Sequence, residues 1–392
     1  MIRLSIFVFF LIGFVIWYFK HKGEPSPTKE YNSIDALVPA FNEEVGIELT
    51  IKDLLNNRYV RKVVCVDDGS TDNTGSILDG LQAEFPERII VVHQTNMGKA
   101  QALNNGLKHI ETSFFLATDA DTRIPDDEGI GYMAAHLKGK TVAVSGIPAS
   151  NLMGAGILPK IRASTKVSFT IMRKGAMEII GGSPHVISGS CGLYRTEVIK
   201  RIGIPDRTAV EDMDLTWTLV EHGYRVGQSR KFVVYVQECN SLREEMVRWK
   251  RWIAGYAICM RIHGRLMFSR FGIGVILPVA ALGMCGLVLF YIAPIVFFYA
   301  FSGSDQYPWW IAMAVRPGWG PVPWWVILSP FWIPIVMALA IYSAKVQKNW
   351  KLIIYSPFSV LILLIFLWTW LRWGIPTLIT GKEPVRIKPR RY

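Results

Sequence analysis

The 392-residue sequence has no charged side chain between Gly272 and Gly303, although Asp, Glu, Lys and Arg crowd residues 40–130. That distribution excludes a chain soluble throughout and reads as a membrane protein carrying one soluble domain. Its five cysteines, Cys65, Cys191, Cys239, Cys259 and Cys285, form no CxxC pair and show no metal-ligand spacing. They read as buried thiols in a reducing compartment. There is no Walker-type phosphate loop and no GxGxxG fingerprint, which argues against P-loop and dinucleotide-binding folds. No small-residue cleavage site follows the apolar run Leu4–Phe19, which argues against a removed signal peptide.

That first run is close to the length needed to cross a hydrocarbon core of roughly 30 Å. It ends in Trp17-Tyr18-Phe19 and then Lys20-His21-Lys22, an aromatic belt with a positive flank. Arg3 would suit a signal peptide, but the larger positive cluster lies after the run. Residues 1–22 are therefore read as an uncleaved anchor in the plasma (inner) membrane, with the domain after it cytoplasmic. A linker containing Pro25 and Pro27 follows. Further spans are expected near 272–301, 322–344 and 352–371, within a multi-pass region 271–380, before a basic tail over 381–392. Four full crossings would put that tail outside, against the positive-inside tendency, so a re-entrant or interfacial segment stays open. Arg372 and Pro376 make the end of the last span the weakest crossing. The net charge of +12 sits largely beside apolar segments. It is assigned to membrane lipid head groups and topology rather than to nucleic acid.

From Tyr31 to about residue 240 the pattern alternates. Apolar runs at 34–41, 62–70, 88–94, 113–121 and 141–146 are separated by helical stretches, among them one reaching Asn57 and one over 98–110. Continuous apolar strands alternating with helices imply an α/β domain with a mostly parallel sheet. Polar residues arrive at the carboxyl ends of the first four strands: Asn42/Glu43, Asp67/Asp68, Asn96/Lys99 and Asp119/Asp121. Open α/β sheets bind ligands outside those ends.

Asp119-Ala-Asp121 follows the run Phe114–Ala117. If the strand continues, both carboxylates fall on one side, about 6–7 Å apart. Two hard oxygen donors suit Mg²⁺ or Mn²⁺ completed by phosphate oxygens, although solvated loop acids would look the same. Glu211, Asp212 and Asp214 cluster at a helix start, where acids favour the dipole. One of them facing a cleft could instead serve as a general base. "MVRWKRWIAGY" (246–256) reads equally as an interfacial anchor, a nucleic-acid patch or part of a site. On a helix Arg248, Arg251 and Trp252 share a face, while Trp249 and Lys250 turn elsewhere.

"VPAFNEE", "VVCVDDGSTDNT", "NMGKAQALNNGL", "ATDADT", "SGSCGLYR", "VEDMDLTW" and "RWKRW" occur in this order. The set resembles the motifs of processive family 2 glycosyltransferases, the D, D, D, (Q/R)xxRW group. That group includes poly-N-acetylglucosamine, chitin-oligosaccharide, hyaluronan and cellulose synthases. The resemblance implies a GT-A type domain between an N-terminal and several C-terminal transmembrane helices, with amphipathic interfacial helices over 241–270. It implies inverting transfer from a UDP-sugar, best matched by UDP-N-acetylglucosamine, to a growing β-linked polysaccharide. Ceramide-glucosyltransferase-like transfer of one sugar to a lipid acceptor is the alternative, and a nucleotide-sensing transporter or scaffold a third. By the same resemblance Glu43, Asp67 and Asp68 hold the uridine, and Lys99 lies near the phosphates. Asp119 and Asp121 approach the ribose and the metal-bound diphosphate. Asp212 is the base beside Glu211, in a motif whose first residue departs to Val210. Ser190, Cys191 and Gly192 line the acceptor cleft, Arg248 and Arg251 lie near the diphosphate, and Trp252 faces the acceptor sugar. A homo-oligomer or a secretion partner would help three C-terminal spans to form a polymer channel.

Overall fold

The computed structural model describes residues 24–28, 33–125, 128–287, 315–316, 320–321 and 336–382. The expected anchor over 1–22 and the basic tail from residue 383 onward lie outside them, as does much of 288–335.

The domain is a seven-stranded sheet with helices on both faces. Strand β1 (Ile34–Ala40) is buried along its whole length, as an apolar central strand must be. Helix α1 (Ile47–Asn56) buries Ile47, Ile51 and Leu54 along one stripe. Then follow β2 (Val60–Asp67), α2 (Thr74–Glu84), β3 (Ile89–His93), α3 (Lys99–Leu107) and β4 (Phe114–Ala117). After α4 (Gly129–Ala135) come β5 (Thr141–Ser150), the long α5 (Ile157–Gly181), β6 (Gly192–Arg195) and α6 (Thr196–Ile202). The domain closes with α7 (Glu211–Glu221), β7 (Arg225–Val236) and α8 (Leu242–Ile262).

Strand order is β3-β2-β1-β4-β6-β5-β7. All neighbours are parallel except β6, which runs antiparallel to both β4 and β5. The sheet is thus mostly parallel but mixed. This single reversal matters for the site. In β4–β6 pairing Ala117 lies opposite Gly192, so the start of β6 meets the carboxyl end of β4. The loop before β6 therefore reaches the same rim as the loops after β1–β4. Alternation along β1 feeds two cores: Ala36 and Val38 pack with Ile47, Ile51 and Leu54. Leu37 packs on the other face with Leu103 and Leu107.

The fourth strand does not continue to Asp121: β4 ends at Ala117. The Thr118 hydroxyl donates to the Ser190 carbonyl at 2.8 Å, and Thr122 N–H donates to the Asp119 carbonyl at 3.2 Å. Asp119 opens a turn and Asp121 lies within it, and the period-2 argument for their sharing a side does not apply.

Beyond α8, Leu277–Leu287 is helical. The helix Val336–Val346 packs on α5, where Ser343 Oγ donates to the Ala163 carbonyl at 2.8 Å. Trp350–Thr380 forms a helix of 31 residues with an 18-residue window of mean hydropathy 2.3. It is the one helix among the described residues long and apolar enough to cross a membrane. Arg372 and Pro376 do not end it. A π turn at Trp370–Gly374 restarts the helix at Ile375, which places the proline at the start of the last segment.

Candidate active site

Lys99 opens α3, immediately after Gly98, whose φ of +90° suits glycine and turns the chain into the helix. Its ammonium lies 2.7 Å from Asp119 and 2.9 Å from Glu211. The loop after β4, α3 and α7 are thereby tied together at one point. Burial works against the charge on Lys99, but Asp119, Glu211 and Asp212 outweigh it and hold the ammonium above the usual lysine range.

The three acids that open α7 have separate partners, which simple helix capping does not explain. The N-cap is Val210, with no side-chain cap. Glu211 pairs with Lys99. Asp214 is fully buried and takes a two-pronged contact from Arg207, with His263 Nε2 at 2.8 Å. Asp212 is half-buried and accepts N–H bonds from Gly189 at 3.2 Å and Met213 at 2.8 Å. Burial pushes the Asp212 carboxyl up to about 6, and the Glu211 charge adds to this against the pull of Lys99. A carboxylate poised there can take a proton near neutral pH.

Lys99, Gly189, Glu211 and Asp212 line a small cavity with Leu103, Phe115, Tyr194 and Leu215. Its volume, about 20 Å³, has room for about one water.

Asp119 and Asp121 flank Ala120, whose carbonyl accepts from the Thr50 hydroxyl at 2.8 Å. No group of three His, Cys, Asp or Glu that could hold a metal ion occurs among the described residues. A two-carboxylate set still fits Mg²⁺ or Mn²⁺, because such ions are commonly held by one or two carboxylates plus substrate phosphates.

The acids after β1 and β2 reach the same rim and are 8, 6 and 4% exposed for Glu43, Asp67 and Asp68. Asp68 accepts from Gln94 Nε2, Met97 N and Gly98 N at 2.7–2.9 Å, so it braces the loop that delivers Lys99. Asp67 holds Ser70 N and His93 Nδ1, both at 3.0 Å.

Ser190 and Cys191 are buried, and the Cys191 side chain belongs to the core. Gly192 is paired in the sheet. The member of this loop that touches the charged cluster is Gly189. A Cβ there would sit 2.8 Å from Lys99 Nζ and 3.5 Å from an Asp212 oxygen. Gly189 stands within "SGSCGLYR", and nothing in the residues alone sets it apart from its neighbours.

The tryptophan-rich segment lies on α8, which starts with a capping box between Ser241 and Glu244. Arg248 and Arg251 do not share an environment. Arg251 is exposed, whereas Arg248 is buried and pairs with Glu245 and, at 2.8 Å, with Glu238. Arg162 and Lys166 of α5 complete the network, Arg162 with both acids and Lys166 with Glu238 at 2.6 Å. Burial opposes the Glu238 charge, yet these three cations hold its carboxyl well below the usual range. Guanidinium groups of Arg162 and Arg248 lie 5.3 and 5.4 Å from the Trp252 ring centre. Trp249 packs edge-on against Trp252 rather than turning away from it. Arg162 is in no motif; its role was hidden because all its partners are distant in sequence.

A family model described as "Glycosyl transferase family 2" matches residues 35–203. An uncharacterized glycosyltransferase of Escherichia coli strain K12, YaiP, is 39% identical over 391 residues, covering 99% of this chain and 93% of that relative. A poly-beta-1,6-N-acetyl-D-glucosamine synthase of Staphylococcus aureus strain COL is 28% identical over 268 residues, 65% of this chain and 64% of that one. Among solved structures, a mannosyltransferase of Pyrobaculum calidifontis in complex with GDP-Man and Mn²⁺ aligns at TM-score 0.60 and 19% identity. That alignment covers 97% of this chain and 98% of the other, and the fold shared is a GT-A-like α/β domain.

Proposed function

Because this chain belongs to glycosyl transferase family 2, we propose that it transfers a sugar from a UDP-sugar to a growing β-linked polysaccharide at a membrane, with inversion. UDP-N-acetylglucosamine is the donor favoured by the likeness to a poly-beta-1,6-N-acetyl-D-glucosamine synthase. The observation that carries the chemistry is Asp212: a carboxylate with its pKa raised to about 6, fixed by Gly189 and bordering Lys99 and Asp119.

In the transfer step an acceptor hydroxyl oxygen attacks the anomeric carbon from the face opposite the diphosphate. Its proton passes to Asp212, the anomeric C–O bond breaks, and UDP leaves with the electron pair. Lys99 supplies positive charge where the leaving diphosphate becomes more negative. Asp119 and Asp121 would hold Mg²⁺ or Mn²⁺, which when bound neutralises part of that charge. Glu43, Asp67 and Asp68 shape the uridine end of the rim. Trp252, contacted by the guanidinium groups of Arg162 and Arg248, is the aromatic ring assigned to an acceptor sugar. The helix Trp350–Thr380, about 45 Å long at 1.5 Å per residue, is long enough to cross the membrane at a tilt, with the catalytic domain cytoplasmic.

The test is to incubate membranes containing the protein with labelled UDP-sugars and Mg²⁺ or Mn²⁺, then size the products. High-molecular-weight product is expected. A single sugar in the organic-extractable fraction would refute the polymer reading, and no transfer from any UDP-sugar would refute the donor class.

A further inference from the structure

Lys174 lies within α5 and is 1% exposed. Its ammonium donates to Ser145 Oγ and Ser188 Oγ, each at 2.8 Å. Neither partner is charged, and burying an ammonium on neutral partners is costly. An ammonium is donor-only, so both hydroxyl oxygens must accept. Ser145 then has every valence used: it also accepts Ser188 N–H at 3.1 Å and donates to the Gly146 carbonyl at 3.1 Å. Ser188 is thereby held through both its side chain and its main chain. The next residue is Gly189, whose N–H meets Asp212 at 3.2 Å.

Resting on the reading of Asp212 as the base, we infer that Lys174 is a positioning residue for that base. It fixes Ser188 so that the Gly189 N–H points at the carboxylate, and its buried charge favours the ionised form of Asp212. Other charged or titratable groups facing it are Arg173 on its own helix, His185 and Cys191 from the segment leading into β6, and Asp212 on α7. Burial lowers the Lys174 ammonium to about 8, with Cys191 and Asp212 pulling the other way and Arg173 adding to the fall. Loss of its proton on the alkaline side removes the charge behind the Ser188–Gly189 step.

The experiment is the pH profile of kcat for the full-length protein in membranes, for wild type, Lys174→Met, Lys174→Arg and Ser188→Ala. In Lys174→Met, kcat is expected to fall about tenfold or more, and the acid limb to move up by about half a unit to one unit. KM for the UDP-sugar should stay within about twofold. Ser188→Ala, which cuts the tether but keeps the charge, should lower kcat with a smaller shift of the limb. Lys174→Arg should restore part of kcat and move the alkaline decline to higher pH. Unchanged kcat in Lys174→Met overturns the inference, and so does a fall in kcat with the acid limb unmoved, which marks a role in folding alone. If Lys174→Met does not fold, an unaltered profile in both Ser188→Ala and Lys174→Arg overturns it. Asp212→Asn in the same assay separates the two readings. Full activity there removes the base assignment, whereas an inactive Asp212→Asn beside an unshifted Lys174→Met removes only the role of Lys174.

Discussion

In an Asp212→Asn variant two properties should move in opposite directions. Transfer is lost with the base, while the folded protein becomes more stable at neutral and alkaline pH. The folded Asp212 has its pKa raised to about 6, against about 3.9 for an aspartate in an unfolded chain. Between those values the folded state holds a proton that the unfolded state has released. The sign follows: this group's contribution to stability is fully present below about pH 3.9 and is lost as pH rises through about 6. Two units at about 1.4 kcal/mol each set a ceiling of about 3 kcal/mol of destabilisation above pH 7. Partial solvent exposure reduces this to about 1–2 kcal/mol; the pull of Lys99 is already contained in the folded value. Asparagine keeps an acceptor for Gly189 N–H and carries no charge. Thermal melting of the detergent-purified proteins should therefore show the variant higher by several degrees at pH 8, at about 2–4 °C per kcal/mol. The gain should disappear near pH 4. A variant no more stable than wild type at pH 8, or one with an equal advantage at both pH values, would refute the account of Asp212 as a carboxylate strained by burial.

Gly189→Ala should lower kcat at least tenfold with melting unchanged, since the added methyl would sit 2.8 Å from Lys99 Nζ and must displace it; paired activity and melting measurements check this. Arg162→Met leaves Glu238 and Glu245 short of a cation in a buried site. A loss of about 3–5 kcal/mol is expected for breaking such a network, seen as a large fall in melting temperature, with Arg251→Met as an exposed control close to neutral. Chelation should abolish transfer and either Mg²⁺ or Mn²⁺ should restore it; Asp121→Asn should raise the metal concentration needed for half-maximal rate.

The legible parts of this protein were those whose cause is local. Continuous apolar runs gave β1, β2 and the start of β4, because a central strand buried on both faces has no alternation to disguise it; β3, at the sheet edge and largely part-buried, was legible from its apolar run alone. The rim acids followed from where those runs stop. What could not be read has non-local causes. The end of β4 is set by Thr118 reaching across to the Ser190 carbonyl, and a strand does not announce that in its own residues. The direction of β6 is likewise invisible in Gly192–Arg195, yet it is the reversal that brings Gly189 to Asp212. Helix α5, which supplies Arg162, Lys166 and Lys174, carries its functional cations on a buried face among residues without a motif.

The tryptophan-rich segment shows how much a motif's meaning depends on such partners. Read alone, Arg248 and Arg251 are two equivalent cations. In the fold Arg248 is enclosed with Glu238, Glu245 and Arg162, and only Arg251 remains exposed. Of the two, only Arg251 is free to meet a diphosphate without first breaking a buried ion pair. On its other side α8 lies against the long apolar helix: Trp249 packs at 5.6 Å on Phe366, and Lys250 sits 5.9 Å from the Trp373 ring. The helix carrying Trp252 is therefore clamped between the charged network of the catalytic domain and the helix long enough to span a bilayer. Any movement of Trp252 along an acceptor chain would have to carry Arg162 and Trp249 with it, because both are in contact with the ring. If the proposed polymer synthesis holds, these contacts fit a rigid platform past which the sugar chain slides better than a mobile one.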